Sequence, residues 1–320
     1  MKETLTAIDL FAGAGGLSEG FEQAGFSVAA ANEIEKTFCE TYRYNHKGTK
    51  VFTGDITKIN VEEFKKECGI NGEKPDVVMG GPPCQGFSTA NRHKRFINDP
   101  RNILYREFVK YVKELKPKFI LMENVKGMKR IAGQVSEDFR KIGYTVRFKI
   151  LNAKDFGIPQ NRERLFFIGT NHTGDLWKDG MIAEKIFTEI DKNKVKGTAK
   201  LSDALWGLRK ITPLPKKNMT DFESEEHGFT EDSIQQKKSE IPDYILKINR
   251  NRMPSRIYNH KARYNNERDI EIFRRLPQGG KSDHPSIQDI MPYRNRAHIF
   301  RDKFYKLLPN EPCKTITSHM

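Results

Sequence analysis

The stretch Gly80-Gly81-Pro82-Pro83-Cys84-Gln85-Gly86-Phe87-Ser88 brings a cysteine in behind two glycines and two prolines. The prolines largely fix the backbone before any ligand arrives, so this loop offers one thiol in a set position. An isolated cysteine is most often simply buried. A structural thiol, however, needs no rigid Pro-Pro approach and no Gln85 and Ser88 beside it, and thiolate chemistry requires exposure near donors. Cys84 is therefore expected to be a nucleophile. Glu123, in Glu123-Asn124-Val125, adds a carboxyl able to hold or deliver a proton at neutral pH. Thiol and acid together suit addition to an electron-poor ring. Farther on, Gln160-Asn161-Arg162-Glu163-Arg164 sets Arg162 and Arg164 at strand spacing on one face. They could meet a phosphate, a carbonyl oxygen or Glu123, or form an ordinary edge-strand ion pair.

A second group of residues is suited to binding. Asp9-Leu10-Phe11-Ala12-Gly13-Ala14-Gly15-Gly16 supplies glycines where a backbone must bend tightly and approach a ligand before a helix begins. The pattern does not complete G-x-G-x-x-G, because Ser18 stands where the third glycine would be, and this weighs against a nicotinamide cofactor. Glu33 could bridge two ribose hydroxyls, and Asp55 could accept from an adenine amine. Either one alone reads as a strand-end cap; in series they describe an adenosine site.

The elements that must position these groups follow from hydrophobic periodicity. Short apolar runs predict strands at Thr6 to Phe11, Ser27 to Ala31, Lys50 to Thr53, Asp76 to Met79, Phe119 to Met122, Tyr144 to Leu151 and Arg164 to Gly169, the last two separated by a turn at Gly157-Ile158-Pro159. Leu17, Phe21 and Ala24 share one helical face, as do Leu104, Phe108, Val109, Val112 and Leu115. The alternation predicts an α/β fold, a doubly wound, mixed and mostly parallel sheet with an antiparallel edge. The chemically notable residues follow the carboxyl ends of five predicted strands, which in an open sheet line one crevice.

At 320 residues the chain can build one large domain and a smaller second one, expected at residues 1–170 and 171–320. Past Asn171 periodicity weakens. An acidic patch between Asp221 and Asp232 gives way to a basic stretch from Lys247 to Lys306, interleaved with Tyr258, Tyr264, Phe273, Tyr293 and Phe300. The formal charge of +14 favours a polyanionic partner, nucleic acid first, although a solvated basic surface would look the same. The four cysteines are scattered without CxxC pairing, which argues against a disulfide framework and against a metal site, and fits a reducing compartment. No apolar run approaches the roughly 20 residues that span a bilayer, so no membrane association is expected and the cytoplasm is the expected location.

These motifs, in their order and spacing up to Thr170, resemble those of the DNA cytosine-5 methyltransferases, typified by bacterial modification enzymes. The resemblance implies a Rossmann-like fold binding S-adenosylmethionine, with S-adenosylhomocysteine as product and no metal. By it, Phe11, Gly13, Gly15, Gly16, Glu33, Ile34, Asp55, Ile56, Pro82 and Leu104 bind the cofactor, with Ile56 against adenine. Cys84 adds to C6 of a cytosine flipped out of double-stranded DNA, Glu123 holds N3 and N4, Arg164 assists at O2, and Arg162 completes the catalytic set. The second domain becomes a target-recognition domain reading base edges. A restriction-modification role in a bacterial cytoplasm, near the nucleoid, is implied. After Pro312-Cys313-Lys314-Thr315-Ile316-Thr317-Ser318 the family pattern normally continues through two more segments. The expectation is that the chain is a truncated part of a longer protein; otherwise a second chain supplies them, and apart from that a monomer is expected. Three rivals remain: a tRNA cytosine-5 methyltransferase, opposed by the lack of any cysteine between Cys84 and Cys313; a non-catalytic nucleic-acid-binding module, which would need neither Cys84 nor Glu123; and a nicotinamide oxidoreductase, weakened by the interrupted glycine pattern.

Overall fold

A computed structural model of the protein describes residues 4–68, 73–83, 103–197, 199–219, 222–234, 241–252, 255–292 and 303–315. They divide into two compact units, one of residues 1–151 with 163–193 and one of residues 152–162 with 194–320. In the first unit strands and helices alternate: β1 (Thr6–Leu10), α1 (Gly16–Gln23), β2 (Ser27–Glu33), α2 (Lys36–Asn45), β3 (Lys50–Thr53), α3 (Val61–Glu67), β4 (Val77–Gly80), α4 (Ile103–Leu115), β5 (Phe119–Val125), α5 (Ala132–Arg140) and β6 (Thr145–Asn152). The short β7 (Gln160–Asn161) belongs to the second unit, after which β8 (Glu163–Thr170) and α6 (Leu176–Lys192) complete the first.

The seven-stranded sheet has the order β3-β2-β1-β4-β5-β8-β6. β1 to β5 pair in parallel, whereas β8 runs antiparallel to β5, so the mixed edge expected from the sequence is present. Strand order reverses between β1 and β4, the switch point at which open α/β sheets bind ligands. Period-two alternation divides the strands between two cores. Ile8 and Leu10 of β1 and Ile120 and Met122 of β5 face Phe108 and Val112 of α4. Ala7, Val77 and Met79 share the other side with Phe119 and Leu121 and with Leu17 and Phe21 of α1. Burying an aromatic side chain such as Phe108 contributes about 1.5–3 kcal/mol, so these two layers account for the sheet's position between helices.

In the second unit β9 (Gly228–Ser233) and β10 (Arg256–Lys261) form an antiparallel pair, and β7 pairs in parallel with β11 (Cys313–Lys314). The helices here are short: α7 (Leu201–Ala204), α8 (Asp243–Ile248) and α9 (Glu267–Arg275). A small apolar cluster of Ile272, Leu276, Ile287, Met291 and Phe304 holds α9. Of the aromatic residues noted in the basic stretch, Tyr293 and Phe300 lie outside the described residues.

The boundary differs from the expected one after residue 170. Helix α6 packs on β8, burying Ala183 and Phe187, and Lys149 pairs with Asp191 at its far end. Its start is set by Asp175, whose carboxylate accepts from the N–H groups of Trp177 and Lys178 at 2.9 and 3.1 Å. The first unit therefore runs to Asn193, and residues 152–162 join the second unit. Among the described residues no helix is long and apolar enough to cross a membrane.

Candidate active site

The crevice begins at the end of β1, where the chain turns through left-handed backbone at Phe11 (φ 59°), Gly13 (φ 58°) and Gly15 (φ 97°). Glu33, at the end of β2, clamps this turn. Its Oε2 accepts from the Gly13 N–H at 2.8 Å, and its Oε1 accepts from the N–H groups of Ile34 and Glu35, both at 2.9 Å. Three of the roughly four acceptor positions of a carboxylate are thus used. Glu33 is only 8% exposed, whereas Ile34 is well exposed. A Cβ on Gly13 or Gly16 would meet nothing within 4 Å, so the turn has open space on its outer side.

Beneath the turn lies a network that is not obvious in the sequence. Ser18 Oγ donates to Asp9 Oδ2 at 2.7 Å and lies 2.6 Å from Tyr42 Oη. Asp9 is fully buried, and burial pushes its carboxyl up to about 7. The His46 ring packs on Tyr42 with centroids 4.5 Å apart, and its Nδ1 lies 2.9 Å from Glu22 Oε1. It occupies the space under Gly15, where a Cβ would come within 2.3 Å of His46 Nε2.

Asp55, after β3, accepts through Oδ1 from the Thr57 N–H and hydroxyl at 3.0 and 2.8 Å, and these bonds hold its carboxyl below the usual range. Ile56, expected against adenine, is 2% exposed within the core cluster, while Leu104 is partly buried against it.

Glycine is required at the end of β4: a Cβ on Gly80 would lie 2.2 Å from the Leu10 carbonyl oxygen. A Cβ on Gly81 would lie 3.4 Å from Glu123 Oε2, so the loop leaves β4 directly beside the acid of β5. Pro82 is buried, and its carbonyl accepts from Asn124 Nδ2 at 2.9 Å. Asn124 itself is 3% exposed and its Oδ1 accepts from the Val125 N–H at 2.8 Å. Cys84, the expected nucleophile, lies with Gln85 to Ser88 outside the described residues.

Glu123 meets Arg164, with Oε1 and Nε 3.0 Å apart and both side chains largely covered. Register explains the meeting: Arg164 sits opposite Val125 in the antiparallel pair, and Glu123 is the diagonal neighbour on the same face. Arg162 belongs to the second unit, whereas Glu123 and Arg164 belong to the first. Strand pairing changes at Arg162: β7 pairs with β11 in the second unit and β8 pairs with β5 in the first. The Arg162 N–H donates to Asn152 Oδ1 at 3.0 Å.

A doubly wound α/β unit, with a glycine turn, two acid-bearing strand ends and a Pro-Pro loop at its switch point, is the class of protein these elements define. The chain belongs to the C-5 cytosine-specific DNA methylase family, whose model matches residues 5–318. It is 33% identical over 328 residues to the type II methyltransferase M.DdeI of Desulfomicrobium norvegicum, a match covering 98% of this chain and 72% of that protein. It is 46% identical over 179 residues to M1.HphI of Haemophilus parahaemolyticus, covering 54% of this chain and 48% of the relative. For M.FnuDI of Fusobacterium nucleatum the figures are 42% over 220 residues, 67% and 59%. The chain thus spans between about half and three quarters of the length of these relatives. Among solved structures, one described as a DNA modification methyltransferase encoded within an E. coli prophage superposes with a TM-score of 0.67 at 26% identity, covering 98% of this chain and 82% of that one.

Proposed function

We propose that this protein transfers a methyl group from S-adenosylmethionine to C5 of a cytosine flipped out of duplex DNA, as the modification enzyme of a restriction-modification system. The observation that carries this reading is the junction of β4 and β5. Asn124 holds the Pro82 carbonyl at the root of the Cys84 loop, while its neighbour Glu123 meets Arg164 beside Gly81. A carboxylate and a guanidinium side by side suit the N3–N4 and O2 edges of a cytosine. Membership of the C-5 methylase family supports cytosine as the ring.

The residues at the glycine turn fit an adenosine-bearing cofactor. Gly13 and Gly16 leave room for a close approach, Ile34 offers an exposed apolar surface, and Asp55 Oδ2 can accept from an amine. Glu33 serves first as the clamp on Gly13, with one acceptor position remaining for a ribose hydroxyl. When bound, S-adenosylmethionine supplies an electrophilic methyl on a sulfonium centre. Cys84 would contribute the electron pair: bonding of its sulfur to C6 makes C5 nucleophilic toward that methyl, S-adenosylhomocysteine would be the leaving group, and loss of the C5 proton to solvent with departure of the thiolate would restore the ring. Glu123 holds N3 and N4, limiting charge on the ring during addition, and Arg164 stabilises O2. Extraction from the stack is required because C5 and C6 are inaccessible inside a duplex. The second unit, with its basic stretch, is proposed to read the target sequence.

The test is covalent trapping. A duplex bearing 5-fluorocytosine at the methylated position should form an adduct with the wild-type protein and none with Cys84→Ala, which should still bind DNA. Turnover by Cys84→Ala, or preference for tRNA over duplex DNA, would overturn the reading.

A further inference from the structure

The amino ends of the parallel strands, opposite the crevice, carry a basic cavity of about 670 Å³. Lys74 precedes β4, Lys116 and Lys118 precede β5, Lys113 ends α4, and Lys141 precedes β6. His172 completes the lining from beyond the end of β8, which reaches this edge because it is antiparallel. The floor is fixed: buried Tyr144 donates its hydroxyl to the Pro117 carbonyl at 2.6 Å, and the His172 ring stacks on Phe119 at 6.1 Å. Among the described residues, the lining holds no acidic residue.

Two of the lysines have local partners, Lys118 with Asp76 at 2.6 Å and Lys141 with Asp138 at 3.3 Å. Lys74, Lys113 and Lys116 make no ion pair among the described residues and are exposed. Complementing the negative end of α4 accounts for Lys113, at about 0.3–1 kcal/mol. It does not account for Lys74, or for Lys116, which adopts left-handed backbone (φ 51°) at a helix end where glycine fits at least cost.

We propose that this cavity docks the phosphodiester backbone of a second segment of duplex DNA, distinct from the segment presented to the crevice. Exposed, screened lysines hold a single small phosphate poorly, because each such pair contributes only about 0–1 kcal/mol. A polyanion that meets several at once releases several counterions, and the affinity adds through that release. The seven residues of β5 put about 20 Å between the two ends of the sheet. A short duplex is a stiff rod well below its persistence length of roughly 150 base pairs, so one such rod cannot serve both ends.

The experiment uses the full chain and two differently labelled duplexes of about 20 base pairs, short against that persistence length, with energy transfer between them as the readout of bridging. Wild-type protein should bridge them. The triple variant Lys74→Glu, Lys113→Glu, Lys116→Glu should not, while its methyl-transfer rate on a saturating single duplex stays within about twofold. The log–log salt slope of non-specific binding should fall in magnitude by about 2–3, near 0.9 per phosphate contact removed. Undiminished bridging and slope in the variant would overturn the proposal. So would loss of wild-type bridging on adding millimolar inorganic phosphate at constant ionic strength, which would assign the cavity to a small anion. Because bridging is read without turnover, a protein that fails the trapping test but bridges would retain this site and lose only the catalytic reading.

Discussion

Arg164 Nε lies 3.0 Å from Glu123 Oε1, across the antiparallel pairing of β5 with β8. The contact joins an acid at the carboxyl end of β5 to a basic residue near the start of β8, 41 positions apart in the sequence. It depends on register, since a one-residue slip would send Arg164 to the opposite face.

Removing this guanidinium should therefore damage chemistry more than folding. Arg164→Ala is expected to lower kcat/KM by about 10²-fold or more, the scale of losing one preorganised donor at a site of developing charge. Arg164→Lys should recover only part of that, because an ammonium cannot reproduce the planar fork. Initial rates with radiolabelled methyl donor on duplex DNA, set beside thermal melts of both variants, decide it; unchanged rates would sink the assignment.

Asn124 gives a second handle on the same place. Asn124→Ala leaves the buried Pro82 carbonyl without its donor, a loss of about 1–3 kcal/mol. With the root of the loop loosened, adduct formation on the 5-fluorocytosine duplex should slow at least tenfold while the DNA dissociation constant changes little. An adduct rate equal to wild type would show that the loop holds itself.

Asp9 makes stability depend on pH in an unusual direction. Its carboxyl is raised from 3.8 to about 7, chiefly by burial, so between these values the folded protein holds a proton that the unfolded chain has released. The stability present below pH 3.8 from this group is lost as pH rises through about 7. Asp9→Asn should flatten that decline, giving a variant whose urea midpoint relative to wild type improves from pH 5 to pH 8. A parallel pair of curves would count against it.

Gly15 should tolerate no side chain. Gly15→Ala must place a Cβ against His46 in left-handed backbone, and is expected to lower stability by more than about 1 kcal/mol. In a His46→Ala background the same substitution should cost less, leaving only the backbone strain. Urea unfolding of the four proteins of the cycle measures the difference, and full additivity would refute the contact.

Much of the first unit is legible in the sequence because its signals are local. Alternation in Thr6–Leu10 and Phe119–Val125 sets which residues face α4, and the predicted strand at Lys50 to Thr53 matches the observed one residue for residue. Helix α6 is not legible in the sequence because it lies where periodicity weakens, past Asn171; only packing on β8 reveals it. The i, i+2 spacing of Arg162 and Arg164 is also local, and spacing carries no information on where a strand changes partner, as the chain does between β7 and β8.

The sequence by itself determined the alternating α/β order, the left-handed glycine turn, the stiff approach to Cys84 and the family, since each rests on backbone preferences or residue types within a few positions. Tertiary structure alone decided that Glu123 meets Arg164, that Asn124 holds Pro82, that His46 fills the space under Gly15, and that five lysines from three stretches of the chain gather at the far end of the sheet. Those are meetings between residues distant along the chain, and strand order and register, which arise from the whole folded sheet, set which of them occur.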